Sequence, residues 1–232
     1  MNFEIEQNLN KLKSSISDIC LSSNRIPNSV KLLAVSKTFP SEYVSEAYKY
    51  GQRMFGENKV QELEIKVPVL PKDIEWHLIG HLQSNKVSKA VELADYIHAV
   101  DSEKLLKRIN NIAGEKNRKP KILLEVNISG EESKFGLTLD KLDSCAKLAK
   151  ECDSIDFVGF MTMAPFDASP EELSDVFSKM RMTRDRLEKE LNVNLPELSM
   201  GMSSDYDSAI KEGATIVRVG TAIFGNRTYP TN

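Results

Sequence analysis

The pattern of apolar and polar positions divides the 232-residue chain into short apolar runs separated by amphipathic stripes. Phe3, Leu9, Leu12, Ile16 and Ile19 fall on one stripe, so the segment 1–23 is expected to be a helix that plugs or flanks the core. The first apolar run, Leu32-Leu33-Ala34-Val35, closes on Ser36 and Lys37, after which Pro40 forbids regular pairing and suits a helix start. From there the pattern predicts strands over 53–55, 75–79, 96–100, 121–128, 155–161, 198–201 and 215–219. Helices are expected over 41–51, from about 60 to before Pro68, and over 85–93, 102–115, 139–151, 170–191 and 204–212, with Asp101 or Ser102 capping the one that starts at 102. Eight short apolar strands alternating with helices predict an α/β protein, a closed (β/α)8 TIM barrel forming a single domain over 1–232. An open doubly wound sheet is the alternative, but no Gly-x-Gly-x-x-Gly follows the first strand.

A barrel places its chemistry at the carboxyl ends of the strands, with phosphate groups commonly held by the loops after strands 7 and 8. After strand 7 the chain runs Met200-Gly201-Met202-Ser203-Ser204-Asp205 into a helix; after strand 8 it runs Arg218-Val219-Gly220-Thr221. Hydroxyls, glycine and backbone N–H groups at a helix start can cup an anion. The same residues could do no more than cap a helix and turn the chain. Alternation along Val217-Arg218-Val219 turns Arg218 toward the barrel interior or mouth, where a guanidinium needs a partner, either an acid from another strand or a ligand. Lys37 is either a solvated strand terminus or an amine in a partly dry mouth, where desolvation makes it nucleophilic. Further polar groups at strand ends are Asn58 with Glu57, His77, Gln83 with Asn85, Asp101 and Asn127, together with Met161 to Met163. His77 and His81 sit across a strand and its turn, which is not the geometry of a helical metal pair, and His77 is expected to be a satisfied wall residue. A lysine facing a phosphate cup matches pyridoxal 5′-phosphate (PLP), and also an aldolase-type Schiff-base site.

Composition narrows the partners. With 34 acidic and 31 basic side chains the net charge is −3, which gives no electrostatic case for nucleic acid or an anionic membrane. The polar N-terminus and the lack of a long apolar run predict no secretion signal and no membrane span, hence a cytoplasmic protein. Cys20, Cys145 and Cys152 match no zinc or redox spacing and are expected to be thiols, the last two on the buried side of one helix.

The segments AVSKTFP, FGENKVQE, WHLIGHLQSNK, LLEVNISGEESKFG and LSMGMSSDYDSAIKEGATIVRVGTAIFG resemble, in order, the signatures of the pyridoxal phosphate homeostasis proteins. That family is similar to the barrel domain of alanine racemase without its second domain. The resemblance spans about 31–227 and implies a PLP barrel of the fold-type III class. It implies that Lys37 forms the Schiff base, that Ser203, Gly220 and Thr221 cup the phosphate with Ser204 beside them, and that Arg218 meets the pyridine nitrogen. Asn58 and Met200 or Met202 are implied wall contacts, and Lys134 is either a second PLP contact or a solvated loop lysine. An arginine does not readily give up a proton, so the ring nitrogen would stay largely unprotonated and PLP would be a weak electron sink. With the chain ending at Asn232 and no second domain, the expectation is a monomeric, non-catalytic carrier that stores PLP and delivers it to apo-enzymes. A PLP-dependent amino-acid racemase and a module that docks on PLP enzymes are the alternatives.

Overall fold

The computed structural model describes residues 3–131 and 135–225, so the expectation at Lys134 lies outside the described residues. Eight parallel strands close into a barrel: β1 (Lys31–Val35), β2 (Met54–Glu57), β3 (Glu75–Leu78), β4 (Tyr96–Val100), β5 (Lys121–Glu125), β6 (Asp156–Met161), β7 (Glu197–Ser199) and β8 (Ile216–Val219). Each pairs with the next, and β8 closes on β1 with Leu33 opposite Arg218. The helix α1 (Phe3–Ser22) precedes them. Between them run α2 (Ser41–Lys49), α3 (Val60–Lys66), α4 (Val87–Leu93), α5 (Glu103–Glu115), α6 (Leu139–Lys150), α7 (Pro170–Leu191) and α8 (Tyr206–Lys211), and α9 (Thr221–Phe224) follows β8.

Strand alternation sorts the side chains into two layers. Leu32, Ala34, Phe55, Leu78, Ile97 and Val217 belong to one large apolar cluster between sheet and helices. At about 1.5–3 kcal/mol for each large side chain removed from water, this layer is the main source of stability. Inside the barrel the apolar cluster is small, made by Tyr96, Ala99, Leu123 and Met161. Much of the remaining interior is polar, with His77, His98, Ser199 and Arg218 all buried. Gly159 fits where β6 meets β7 because its φ of 150° disfavours a side chain and a Cβ would run into the Glu197 carbonyl.

Helix α1 flanks the barrel; it does not plug it. Its buried stripe is Ile5, Leu9, Leu12, Ile16 and Cys20, at helical spacing, with Ile19 half-buried beside it. Asn8 donates to the Ile223 carbonyl (3.1 Å) and Ser15 meets the Tyr206 hydroxyl (3.1 Å), fastening α1 against α9 and α8. The long α7 carries a capping box, in which Ser169 Oγ accepts from Glu172 N–H and the Glu172 carboxylate accepts from Ser169 N–H, and it ends on Asn192 at φ 49°. Ser102, not Asp101, caps α5.

Some boundaries differ from the expected ones. β5 stops at Glu125 instead of continuing to 128: Val126 N–H still donates to the Met161 carbonyl (2.8 Å), but Val126 bridges Leu137 in the next loop and Asn127 N–H turns to the Leu137 carbonyl (3.0 Å). β7 is Glu197–Ser199, and α8 begins only at Tyr206 because Asp205 first ties back to Met202 N–H. α9, absent from the expected elements, has only four residues, too few for a periodic signal. Cys145 is buried on α6, but Cys152 lies past the end of that helix and is only half-buried. Among the described residues no helix is long and apolar enough to cross a membrane.

Candidate functional site

At the carboxyl end of the barrel a cleft of about 530 Å³ opens among the strand-end loops. Lys37, Asn58, Met202, Ser203, Ser204, Arg218, Gly220 and Thr221 all line it. Met200 does not: it is fully buried in the outer apolar layer. Alternation explains this, since Glu197 and Ser199 face inward and Met200 therefore faces out, leaving the wall to Met202 beyond the Gly201 turn.

Lys37 is half-buried and lies two residues past the end of β1, after Ser36. The backbone on both sides of it is clamped. Lys66 Nζ, buried on α3, donates to the Ser36 carbonyl (2.9 Å) and to Glu57 Oε1 (2.6 Å), and Ser36 Oγ donates to the same carboxylate oxygen (2.7 Å). On the other side Glu62 Oε2 accepts from Thr38 N–H (2.6 Å). Thr38 adopts φ 69°, a left-handed conformation that a β-branched residue rarely takes, so this tie holds a strained turn. Glu57 is fully buried, and burial pushes its carboxyl up to about 7 against the pull of Lys66 and Ser36. Its Oε2 has no partner among the described residues.

Across the cleft, Gly220 opens α9, whose first turn leaves backbone N–H groups outside its own ladder. A Cβ at Gly220 would sit 3.0 Å from the Val35 carbonyl, so glycine lets this turn press against the end of β1 close to Lys37. The neighbouring loop is shaped by Gly201, at φ 89°, and by the buried Asp205, whose carboxylate accepts from Met202 N–H. That leaves Ser203 and Ser204 exposed on the rim.

Arg218 lies between these two sides and is 5% exposed. Its Nη1 donates to the Ser199 carbonyl (2.7 Å) and Ser199 Oγ (2.8 Å), and its Nη2 to the Thr162 carbonyl (3.0 Å). Burial brings the guanidinium down to about 10, opposed by Asp205 and Glu125, so it stays charged at neutral pH. Of the two partners the sequence left open, an acid or a ligand, no acid among the described residues makes a hydrogen bond to it; carbonyl and hydroxyl acceptors do, and its Nε–H and one Nη2–H have no acceptor among the described residues of the cleft it lines. Glu125, at the end of β5 and 3% exposed, also lines the cleft. Burial and the nearby Asp101 carboxylate push it up to about 7, with Arg218 opposing.

Of the other strand-end groups, His77 is a satisfied interior histidine, hydrogen-bonded to His98 and Glu75. His81 reaches the cleft, pairs with Asp101 (3.2 Å) and stacks on Phe135. Asn127 shapes its own loop through Ser129, Gly130 and Glu131. Met163 lines the cleft while Met161 is buried inside the barrel. Gln83 and Asn85 are exposed outside it. No group of acidic, histidine or cysteine side chains among the described residues could hold a metal ion. Sequence reasoning missed Glu125, Lys66, Ser199 and Asp205; the Lys66 clamp leaves no sequence signal, since its members become neighbours only when α3 folds over β2.

A primary amine, a charged guanidinium with donors to spare and a glycine-lined backbone cradle can together hold an aldehyde-bearing aromatic phosphate ester, and PLP fits that donor set. Residues 6–228 match the family model for the N-terminal domain of alanine racemase. The pyridoxal phosphate homeostasis protein of Aquifex aeolicus is 41% identical over 224 residues, covering 96% of this chain and 98% of that protein. The human protein of the same name is 40% identical over 213 residues, covering 86% and 77%. PipY of Synechococcus elongatus, solved with PLP bound, superposes with a TM-score of 0.85 at 40% identity, covering 95% of this chain and all of that one. Alanine racemase of Corynebacterium glutamicum superposes with a TM-score of 0.73 at 13% identity, covering 98% and 62%, which shows a shared barrel. Similarity at this level along nearly the whole length places the chain in the pyridoxal phosphate homeostasis protein family.

Proposed function

We propose that this protein binds PLP in the strand-end cleft and serves PLP homeostasis as a carrier. The observation that carries this is the meeting of Lys37, Arg218 and the Gly220–Thr221 turn in one cleft. PLP supplies an aldehyde that condenses reversibly with a primary amine. Lys37 is the amine, and its clamped backbone points it into the cleft. The Gly220–Thr221 turn with Ser203 and Ser204 receives the phosphate, Arg218 donates to the ring nitrogen, and Asn58 and Met202 form the walls. Because Arg218 stays protonated and offers only donors, it does not protonate that nitrogen, which supports holding the cofactor over carbanion chemistry. The protein acts without turnover, as a cytoplasmic monomer, and gives PLP up to apo-enzymes.

Titration of the purified protein with PLP tests this. The wild type develops a visible band distinct from free PLP, and Lys37→Ala does not. An identical band in the variant overturns the assignment of Lys37. Incubation with a panel of L-amino acids separates carrier from racemase: the carrier yields no D-isomer, and Lys37-dependent D-isomer would establish an enzyme.

A further inference from the structure

Beneath the cleft a buried column of hydrogen bonds runs down the barrel interior from Arg218. Arg218 Nη1 donates to Ser199 Oγ (2.8 Å), Ser199 Oγ meets His98 Nδ1 (3.0 Å), His98 Nε2 meets His77 Nδ1 (2.8 Å), and His77 Nε2 meets Glu75 Oε1 (3.1 Å). Both imidazoles and Ser199 are fully buried.

The direction of every bond can be solved from the lower end. The Glu75 carboxyl, kept below its usual value by His77 and the Lys121 and Lys31 ammonium groups against the effect of burial, only accepts, so His77 Nε2 carries a proton. Burial disfavours the charged form of both rings, drawing His77 below its ordinary value against the pull of Glu75 and His98 well below its own, so that near neutral pH each carries one proton. A neutral His77 then accepts at Nδ1, so His98 donates from Nε2 and accepts at Nδ1. Ser199 must therefore give its only proton to His98, and its oxygen is free to accept from Arg218. All four bonds point the same way, from the cleft to the carboxylate. Tyr96 stacks on His77 at 4.2 Å, and Lys121, Lys31, Glu197 and Asp95 complete the charges around the lower end.

We infer that Ser199, His98 and His77 are positioning residues for Arg218: a single-direction column anchored on Glu75 that locks the guanidinium and aims its spare N–H groups at an acceptor on the ligand ring. The identity of that ligand rests on the PLP reading above; the column does not. With either ring reversed, Ser199 Oγ would accept from both His98 and Arg218, and its own proton would have no acceptor in the column.

Nitrogen-15 NMR of the protein without PLP tests the column itself. Both imidazoles are expected as neutral Nε2–H tautomers between pH 7 and pH 8, and Arg218 is expected to show separate, slowly exchanging Nη signals. Ser199→Ala, which keeps the residue 199 and Thr162 carbonyl acceptors, should broaden those signals and quicken their exchange, and Ser199→Thr, which keeps the hydroxyl, should restore them. A charged ring at pH 7, an Nδ1–H tautomer, or unchanged Arg218 signals in Ser199→Ala overturns the inference. With PLP, Ser199→Ala should raise Kd about tenfold and shift the visible band, again with recovery in Ser199→Thr; wild-type affinity in Ser199→Ala contradicts the aiming role. If the wild type takes up no PLP, the functional reading falls while the NMR result still decides the column.

Discussion

Gly220 and Glu125 show how single positions govern this cleft. Gly220 has an ordinary negative φ, so its requirement is spatial: a Cβ would come within 3.0 Å of the Val35 carbonyl, backbone that cannot step aside cheaply. Gly220→Ala should push the α9 turn away from Lys37 and weaken PLP binding about tenfold, the equivalent of the lower end of overpacking costs. An unchanged Kd by absorbance titration would show that the contact is relieved elsewhere. Glu125 makes a prediction about stability. Its carboxyl titrates at about 7 in the folded protein against 4.5 ordinarily, so the folded state holds the proton more tightly. Stability from this group is therefore lost as pH rises from about 4.5 to 7, by up to about 3 kcal/mol. Urea unfolding of the protein without PLP should show Glu125→Gln gaining on the wild type between pH 5 and pH 8. Parallel pH profiles would mean that Glu125 is ionised throughout.

At the scale of elements, the join between β1 and α2 is held by α3. Lys66 grips the Ser36 carbonyl and Glu57, while Glu62 grips Thr38 N–H, so one short helix fixes the backbone before and after Lys37. Lys66→Met removes the only cation paired with Glu57 among the described residues and leaves a buried carboxylate. It should cost about 3 kcal/mol or more at pH 8 and less at pH 5, where Glu57 is neutral. Chemical denaturation at the two pH values checks this, and an equal loss at both would contradict it. The elements themselves were largely legible from the sequence, because burial of both sheet faces writes near-continuous apolar runs such as Lys121–Glu125, and because Pro170 and Asn192 bracket α7. What was not legible is what depends on parity and distance. Glu57 and Ser36 lie at outward-facing positions that meet Lys66 only after folding, Met202 and not Met200 reaches the cleft because the chain turns at Gly201, and the partners of Arg218, Ser199 on β7 and Thr162 just past β6, lie far away in the chain.

For the molecule as a whole, a polar barrel interior under an open cleft is a costly arrangement that a bound cofactor would offset. Binding to the folded state alone stabilises it by about 2.7 kcal/mol at a free ligand concentration one hundred times Kd. Thermal unfolding should therefore shift upward with PLP in the wild type and much less in Lys37→Ala; equal shifts would place the binding elsewhere. The central claim is that Lys37 is the amine that takes the cofactor. Borohydride reduction of the PLP-loaded protein followed by peptide mass mapping tests it most directly. The account predicts that one equivalent of the reduced pyridoxyl phosphate group is fixed on the peptide carrying Lys37. Label spread over surface lysines, or concentrated on a different lysine with Lys37 unmodified, would contradict it.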